Sequence, residues 1–405
     1  MIDNKNLYRI IGKKDGIRLV TKDETATIDD IYTKGFLITE DNHILCDDLP
    51  IGTLTKDGYW ESADEILEIK PSEFVKDALL GAAVGDAFGV PYEFFTREVI
   101  QYLPVDGMIG MDTNPWFKGY WTNRVPAGAW SDDTSMIVAG MESIIFKEEI
   151  DYEDIMKAYM DWWYKNGYTS IGSSFGLGQT VKKAFFNYKS GKDAINCGAK
   201  KMEDNGNGSL MRILPFSLYC IVNELDDNET YDIISKASSI THGHEISIMA
   251  CYMYTIFLKE IIRTRNKNIA FTKMIYTDYS EFFSQEAIDA FKKVIDPNFN
   301  LKPEQINQSG YVVDTFESVM YSILNGEDYR DTIYKCVKLG YDTDTNACIA
   351  GSLAGIIYGS NNIPKEWLNT VKKEHYLERV AFRFNQALNK MKSLEKDEEI
   401  KKSTR

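Results

Sequence analysis

Two segments of this chain carry almost no side chain. Gly81-Ala82-Ala83-Val84-Gly85-Asp86-Ala87 and Ala347-Cys348-Ile349-Ala350-Gly351-Ser352-Leu353-Ala354-Gly355 are helical in period and apolar on most sides. Glycine in a helix interior costs about 1 kcal/mol relative to alanine. Runs this rich in small residues therefore point to close helix–helix approach, and both helices are expected at the crowded centre of a bundle. Acidic residues sit at or near their ends, and a carboxylate at the edge of a buried helix needs a partner.

The surrounding sequence fits that centre. From Pro71-Ser72 onward the period is helical, through Phe74–Phe88, Met136–Phe146, Tyr152–Tyr164, Leu177–Tyr188, Leu210–Val222, Ile246–Ile262, Tyr311–Leu324, Tyr329–Leu339, Ala347–Tyr358 and Tyr376–Met391. Convincing strands are few and no repeat period stands out, so the expected fold class is an all-α bundle. Residues 264–308 are more polar and read as an irregular excursion. Residues 1–70 read differently: short β-prone runs (Gly16–Thr21, Gly35–Thr39, His43–Cys46) alternate with turn signals at Glu40-Asp41-Asn42 and Lys56-Asp57-Gly58. The expected organisation is a small strand-rich N-terminal module over 1–70, an all-α domain over 71–392 and a frayed, charged tail over 393–405. The module is either an extension packed on the main domain or an element that recognises a partner or substrate.

Composition narrows the function. Aromatic residues make up 13% of the chain, enough to fill a sizeable core. Asp and Glu outnumber Lys and Arg by 61 to 46, and a surface at −15 repels phosphate backbones, so no nucleic-acid partner is expected. None of the six Cys forms a C-x-x-C pair, which suits a reducing compartment. With four His, a zinc site of three or four His/Cys ligands is hard to assemble. The N-terminus has no signal-peptide apolar core and no run is long and apolar enough to span a membrane, so a cytoplasmic location is expected.

Carboxylates cluster at particular helix starts. Ser131-Asp132-Asp133-Thr134 and Asp342-Thr343-Asp344-Thr345 each stand directly before an apolar helix. Each can be read as an N-cap with acidic residues complementing the helix dipole. Two such clusters, together with Gly85-Asp86-Ala87-Phe88-Gly89-Val90-Pro91-Tyr92-Glu93, also form a hard-oxygen donor set with few basic neighbours. Such donors suit Mg²⁺, Mn²⁺ or Ca²⁺.

Five motifs in order, Gly85-Asp86-x-x-Gly89-x-x-x-Glu93, Ser131-Asp132-Asp133-Thr134, Gly206-Asn207-Gly208-Ser209-Leu210-Met211-Arg212, Thr241-His242 and Asp342-Thr343-Asp344-Thr345, resemble the signature series of the ADP-ribosylglycohydrolase family. Ser309-Gly310-Tyr311-Val312-Val313-Asp314-Thr315 resembles a helix opening of its bacterial members. The resemblance spans 72–390 and leaves 1–70 uncovered. It implies an all-α bundle with two Mg²⁺ or Mn²⁺ at the bottom of a cleft. It assigns Ser131, Asp132 and Asp133 to one metal, and Asp342, Asp344 and Thr345 to the pair, with Asp344 as the bridge. It makes Glu93 the mobile glutamate implicated in catalysis, and has Gly206, Asn207, Gly208 and Ser209 contact ADP-ribose. His242 falls near the adenosine, with Gly176 and Gly178 as a further part of that wall. The chain departs from the pattern at Ser131, where Thr is frequent, and at Tyr341, where a second glycine usually precedes Asp342.

The expected activity is hydrolysis of ADP-ribose from modified protein side chains, arginine-linked above serine-linked. The alternative is a binding protein that blocks an ADP-ribosylating toxin, or docks a target, through residues 1–70. Smaller signals stay open at this stage. His242 and His244 read as cleft wall and helix start, or as a metal pair. Trp162-Trp163-Tyr164 reads as packing or as a stacking platform. Tyr120-Trp121 either walls the cleft or packs elsewhere, and Arg212 meets either phosphate or a carboxylate.

Overall fold

The two small-residue runs form helices at the centre of a helical domain. In chain order the longer helices are α1 (Glu73–Gly89), α2 (Asp132–Lys147), α3 (Tyr152–Lys165), α4 (Gln179–Lys189), α5 (Leu214–Val222), α6 (Asp227–Ser239), α7 (Glu245–Thr264), α8 (Lys267–Ile275), α9 (Val312–Asn325), α10 (Tyr329–Val337), α11 (Thr343–Tyr358) and α12 (Glu374–Ser403). The structure, a computed structural model, describes residues 73–403 apart from Pro115 and Asn298, with side chains over 74–393, and short strand segments from Tyr8–Ile11 to Tyr59–Ser62. The chain divides into two units, Met1–Pro71 and Ser72–Arg405. The turns expected at 40–42 and 56–58, and every side chain of the module expected over 1–70, lie outside the described residues.

α1 and α11 meet backbone to backbone. A Cβ on Gly81 would lie 2.2 Å from the carbonyl oxygen of Gly351, and a Cβ on Gly351 would lie 2.2 Å from that of Gly81. On Gly85 it would lie 2.0 Å from the Ala347 oxygen, and on Gly89 2.3 Å from that of Thr343. Each approach is closer than any side chain allows, which is why both helices accept the propensity cost of glycine. The Tyr329 hydroxyl seals the seam by donating to the Gly81 carbonyl at 2.6 Å. α12 packs on α1 and α2, while α7, α9 and α10 pack on α11. This layering buries the C-terminal end of α1 and the N-terminal ends of α2 and α11 in one place.

Three stretches differ from the sequence expectation. The polar excursion over 264–308 contains α8, capped by the Asn266 side chain, and a short helix Gln285–Ala290 capped by Ser284. α6 was not expected, although Asp226 and Glu229 form a capping box at its start. α12 continues beyond Met391 through the charged stretch to Ser403, because Leu, Glu and Lys are strong helix formers whatever their charge. Among the described residues no helix is long and apolar enough to cross a membrane.

Candidate active site at three helix ends

The start of α2 leaves backbone N–H groups without intrahelical partners. Ser131 is its N-cap and accepts from the Asp133 N–H at 3.3 Å. The remaining donors are met from another helix. Asp86, fully buried near the end of α1, accepts from the Ser131 N–H at 3.0 Å, the Thr134 N–H at 3.1 Å and the Thr134 hydroxyl at 2.7 Å. Asp86 therefore joins α1 to α2, a role its motif did not disclose. The Ser131 hydroxyl donates to Asp133 Oδ2 at 2.7 Å. It is engaged within the protein and reaches Asp133 before any ligand.

Around this junction lie two groups of carboxylates. Oxygens of Asp86, Asp133 and Asp344 all fall within 4.8 Å of one another, as do oxygens of Glu93, Asp342 and Asp344. Asp344 is common to both. Asp133 Oδ1 is buried with no hydrogen-bond partner. Asp342 accepts from the Asn207 amide at 2.7 Å, and Asn207 is fixed in turn by its N–H to the Gly310 carbonyl at 3.1 Å. That link explains why the Gly310 loop belongs with the site. Asp132 presses against Gly176, whose φ of +92° and missing side chain both matter: a Cβ there would lie 2.1 Å from Asp132 Oδ1. Glu93 accepts a hydrogen bond from the indole of Trp121.

Burial raises every one of these carboxyls, and like charge adds to the shift at Glu93, Asp132, Asp133 and Asp344. Burial first, then the Asp342 charge, pushes Glu93 up to about 8. Burial, then Asp86, pushes Asp132 to about 8, and burial pushes Asp86 to about 6. Burial also lifts Asp342, and lifts Asp133 and Asp344 well above the usual range. No basic side chain is among the leading influences on any of them. Acidic oxygens packed this closely call for protons or divalent cations, and an all-oxygen donor set with an orphaned carboxylate oxygen fits a hard cation.

The sign of the pH dependence follows. A carboxyl whose folded pKa is raised stabilises the fold below its unfolded value near 4 and loses that contribution as pH rises through the folded value. In chelator, the melting temperature is expected to fall between pH 5.5 and 8.5, across the values near 6 and 8 for Asp86, Glu93 and Asp132. Saturating Mg²⁺ should flatten that decline, since cation binding releases the protons. A melting temperature in chelator that holds level or rises over this range would contradict it.

Above the carboxylates opens a cleft of about 310 Å³. Glu93, Asp132, Asp342, Asp344 and Thr345 reach it from one side, and Gly176, Gly178, Gly206, Asn207, Gly208 and His242 from the other parts of the sequence named above. Three expected site residues are not brought to its lining. Ser209 is fully buried and its hydroxyl accepts from Ser238 at 2.9 Å, while Ser131 and Asp133 lie beneath the lining. His242 is buried, with Nδ1 2.9 Å from the Thr241 hydroxyl, and burial lowers its pKa to about 3, so the ring is neutral. Arg212 meets neither phosphate nor carboxylate: fully buried, it donates to the Thr241 hydroxyl at 2.6 Å and to Tyr159 at 3.1 Å. It braces the residue that holds His242. His244 caps α7, accepting from the Ile246 N–H at 3.2 Å, which removes it as half of a metal pair. Trp162 is buried core. The lining also includes Met211 from the Gly206–Arg212 motif, and Phe94, Gln179, Thr180 and Val181, which no motif marked.

Comparison with known proteins shows what the chain is similar to. The chain is 28% identical over 317 residues to the ADP-ribosylarginine hydrolase Tri1 of Serratia proteamaculans (strain 568), covering 78% of this chain and 80% of that one. It is 28% identical over 294 residues to the ADP-ribosyl-[dinitrogen reductase] glycohydrolase of Rhodospirillum rubrum, covering 72% and 88%. A solved structure described as an ADP-ribosylglycohydrolase-related protein complex superposes with a TM-score of 0.64 at 25% identity, over 79% of this chain and 100% of that one. The profile of the ADP-ribosylglycohydrolase family matches residues 68–394, and the chain belongs to that family.

Proposed function

We propose that this glycohydrolase removes ADP-ribose from modified protein side chains, with arginine as the favoured linkage and two Mg²⁺ or Mn²⁺ in its cleft. The observation that carries the reading is Asp344, shared by two carboxylate groups directly below a cleft that Glu93 also lines. We assign Asp132 and Asp133, with Ser131 through its contact to Asp133, to one cation, and Asp342 and Thr345 to the other, with Asp344 between them. Bound there, such cations supply charge neutralisation and a fixed orientation for the ribose hydroxyls.

The chain's own groups do the rest. Asp86 and Asn207 hold the two acidic clusters in register, one from α1 and the other from the turn at Gly206. Glu93 is assigned to proton transfer at the scissile bond, where a water attacks the anomeric carbon and the leaving nitrogen takes up a proton. Its raised pKa and its hydrogen bond to Trp121 support this, and general acid–base help is worth roughly 10²–10⁴-fold. Gly206, Asn207 and Gly208 form the floor for the nucleotide, and the neutral His242 ring offers hydrogen bonding without charge. Gly208 has no room for more, since a Cβ there would lie 2.8 Å from His242 Cε1. The relatives named for arginine hydrolysis and for dinitrogen reductase support a protein substrate.

A reducing, cytoplasmic setting is part of the same proposal, supported by five free, buried cysteines among the described residues. The strand-rich reading of 1–70 remains a proposal on the sequence pattern. No observation on the described residues favours the toxin-blocking alternative. The test is ADP-ribose release from arginine-modified and serine-modified protein, each with Mg²⁺, Mn²⁺ or chelator. Cation-dependent release from the arginine-modified protein is expected. A folded, cation-loaded protein that releases nothing from either would overturn the reading.

A further inference from the structure

Phe94, beside Glu93, lines the cleft, and Tyr120 and Tyr341 pack against it from outside the lining, three rings that the reaction does not use. Phe94, Tyr120 and Tyr341 are 49%, 47% and 39% exposed. They form one contiguous group. Phe94 meets Tyr120 edge-to-face at 5.1 Å and Tyr341 at 6.2 Å. Single exposed apolar residues need no explanation, but contiguous ones at a cleft mouth mark a binding surface.

The backbone beneath two of these rings is unusual. Phe94 has φ +69° and Tyr341 φ +68°, in the left-handed region that bulky residues rarely adopt. Both are held there by a reciprocal pair of short hydrogen bonds. The Phe94 N–H donates to the Tyr341 carbonyl at 2.7 Å, and the Tyr341 N–H donates to the Phe95 carbonyl at 2.7 Å. Glycine would occupy either position without strain. Rings kept at such positions, exposed and adjacent to Glu93 and Asp342, cluster where strain accompanies function.

The chemistry of the rim selects its occupant. Ring faces attract planar cations, guanidinium above all. The rim already holds one: the Arg124 guanidinium lies 4.1 Å above the Tyr120 ring. On the hydrolase reading above, we propose that Phe94, Tyr120 and Tyr341 form the leaving-group subsite, receiving the guanidinium and aliphatic stem of the modified arginine as its bond to ribose breaks. The rim is thereby the element that separates arginine-linked from serine-linked substrates.

The experiment compares Tyr341→Gly and Tyr120→Ala with wild-type protein on arginine-modified and serine-modified peptides of one sequence, Mg²⁺ present throughout. Tyr341→Gly also relieves the backbone, so folding is not at risk. Each variant is expected to raise KM for the arginine-modified peptide about three- to tenfold. KM for the serine-modified peptide and the inhibition constant of free ADP-ribose should stay at wild-type values. Tyr341→Phe and Tyr120→Phe, which keep the ring, should restore wild-type KM. An unchanged KM in both ring-deleted variants overturns the subsite. A parallel weakening of ADP-ribose inhibition also overturns it, because the rings would then serve the nucleotide. Wild-type protein inactive on the arginine-modified peptide while active on the serine-modified one would instead refute the arginine preference, and the subsite with it.

Discussion

Asp344→Asn is expected to lower the rate of ADP-ribose release by about 10³-fold or more while making the metal-free protein harder to unfold. Asp344 belongs to both carboxylate groups, so no neighbour replaces it. The amide keeps the shape and removes the charge. Its effect on stability has the opposite sign from its effect on rate. Burial holds the Asp344 carboxyl well above its usual pKa, with Glu93 and Asp133 adding to the shift. Ionising it at neutral pH therefore costs stability, and a neutral side chain avoids that cost, by roughly 1–2 kcal/mol. The gain should widen as pH rises. Single-turnover release and thermal melts in chelator from pH 5.5 to 8.5 read both effects on one sample. A variant within tenfold of wild-type turnover would remove Asp344 from the centre of the site.

Gly85→Ala is expected to cost about 3 kcal/mol or more, despite placing a better helix former in a helix. The propensity gain is about 1 kcal/mol. Against it, the new Cβ would lie 2.0 Å from the Ala347 oxygen and 2.7 Å from its carbonyl carbon. Both atoms are backbone of α11, and no rotamer can move them aside. The helices must separate, and with them the ends that carry Asp86 and Asp344. Urea titration should show a lower midpoint, and activity should fall along with it. Gly107→Ala is the control: nothing lies within 4 Å of a Cβ there, and its effect should be within about 0.5 kcal/mol. Equal midpoints for the two variants would mean that the seam yields.

The parts of this fold most legible in the sequence were those written in local chemistry. Glycine and alanine at helical spacing announced α1 and α11. Ser131 before two acidic residues announced the start of α2. The site residues that needed only a motif, Asp132, Asp342, Asp344, Thr345 and Glu93, do come together around one cleft. What the sequence did not disclose depends on partners distant along the chain. Asp86 caps a helix whose N-cap residue, Ser131, lies 45 residues later. Arg212 was open between a phosphate and a carboxylate, but its partners are Tyr159, Ala237 and Thr241 in the interior. The Ser131 and Ser209 hydroxyls are engaged by Asp133 and Ser238, contacts that spacing cannot show. α6 failed to register because a run of acidic residues hid its capping box, and α8 because its amphipathic face is faint. At Tyr341 the departure from glycine was visible, but its meaning was not. Only the φ of +68°, the contact with Phe94 and the exposure of the ring show that it does not fill the cleft.

The seam between α1 and α11 also limits how a lineage of such chains can diverge. A side chain that clashes with another side chain can be accommodated by a second substitution that shrinks its neighbour. At Gly81, Gly85 and Gly89 the neighbour is the peptide backbone of Gly351, Ala347 and Thr343, which has nothing to shrink. Damage there has no local suppressor, so neutral drift is closed along this line and open on the walls around it. Substitution stays open at positions such as Tyr341, Phe94 and Tyr120, where rings face solvent and a change leaves the helix spacing intact. A screen for second-site revertants of Gly85→Ala should accordingly return true reversion and little else.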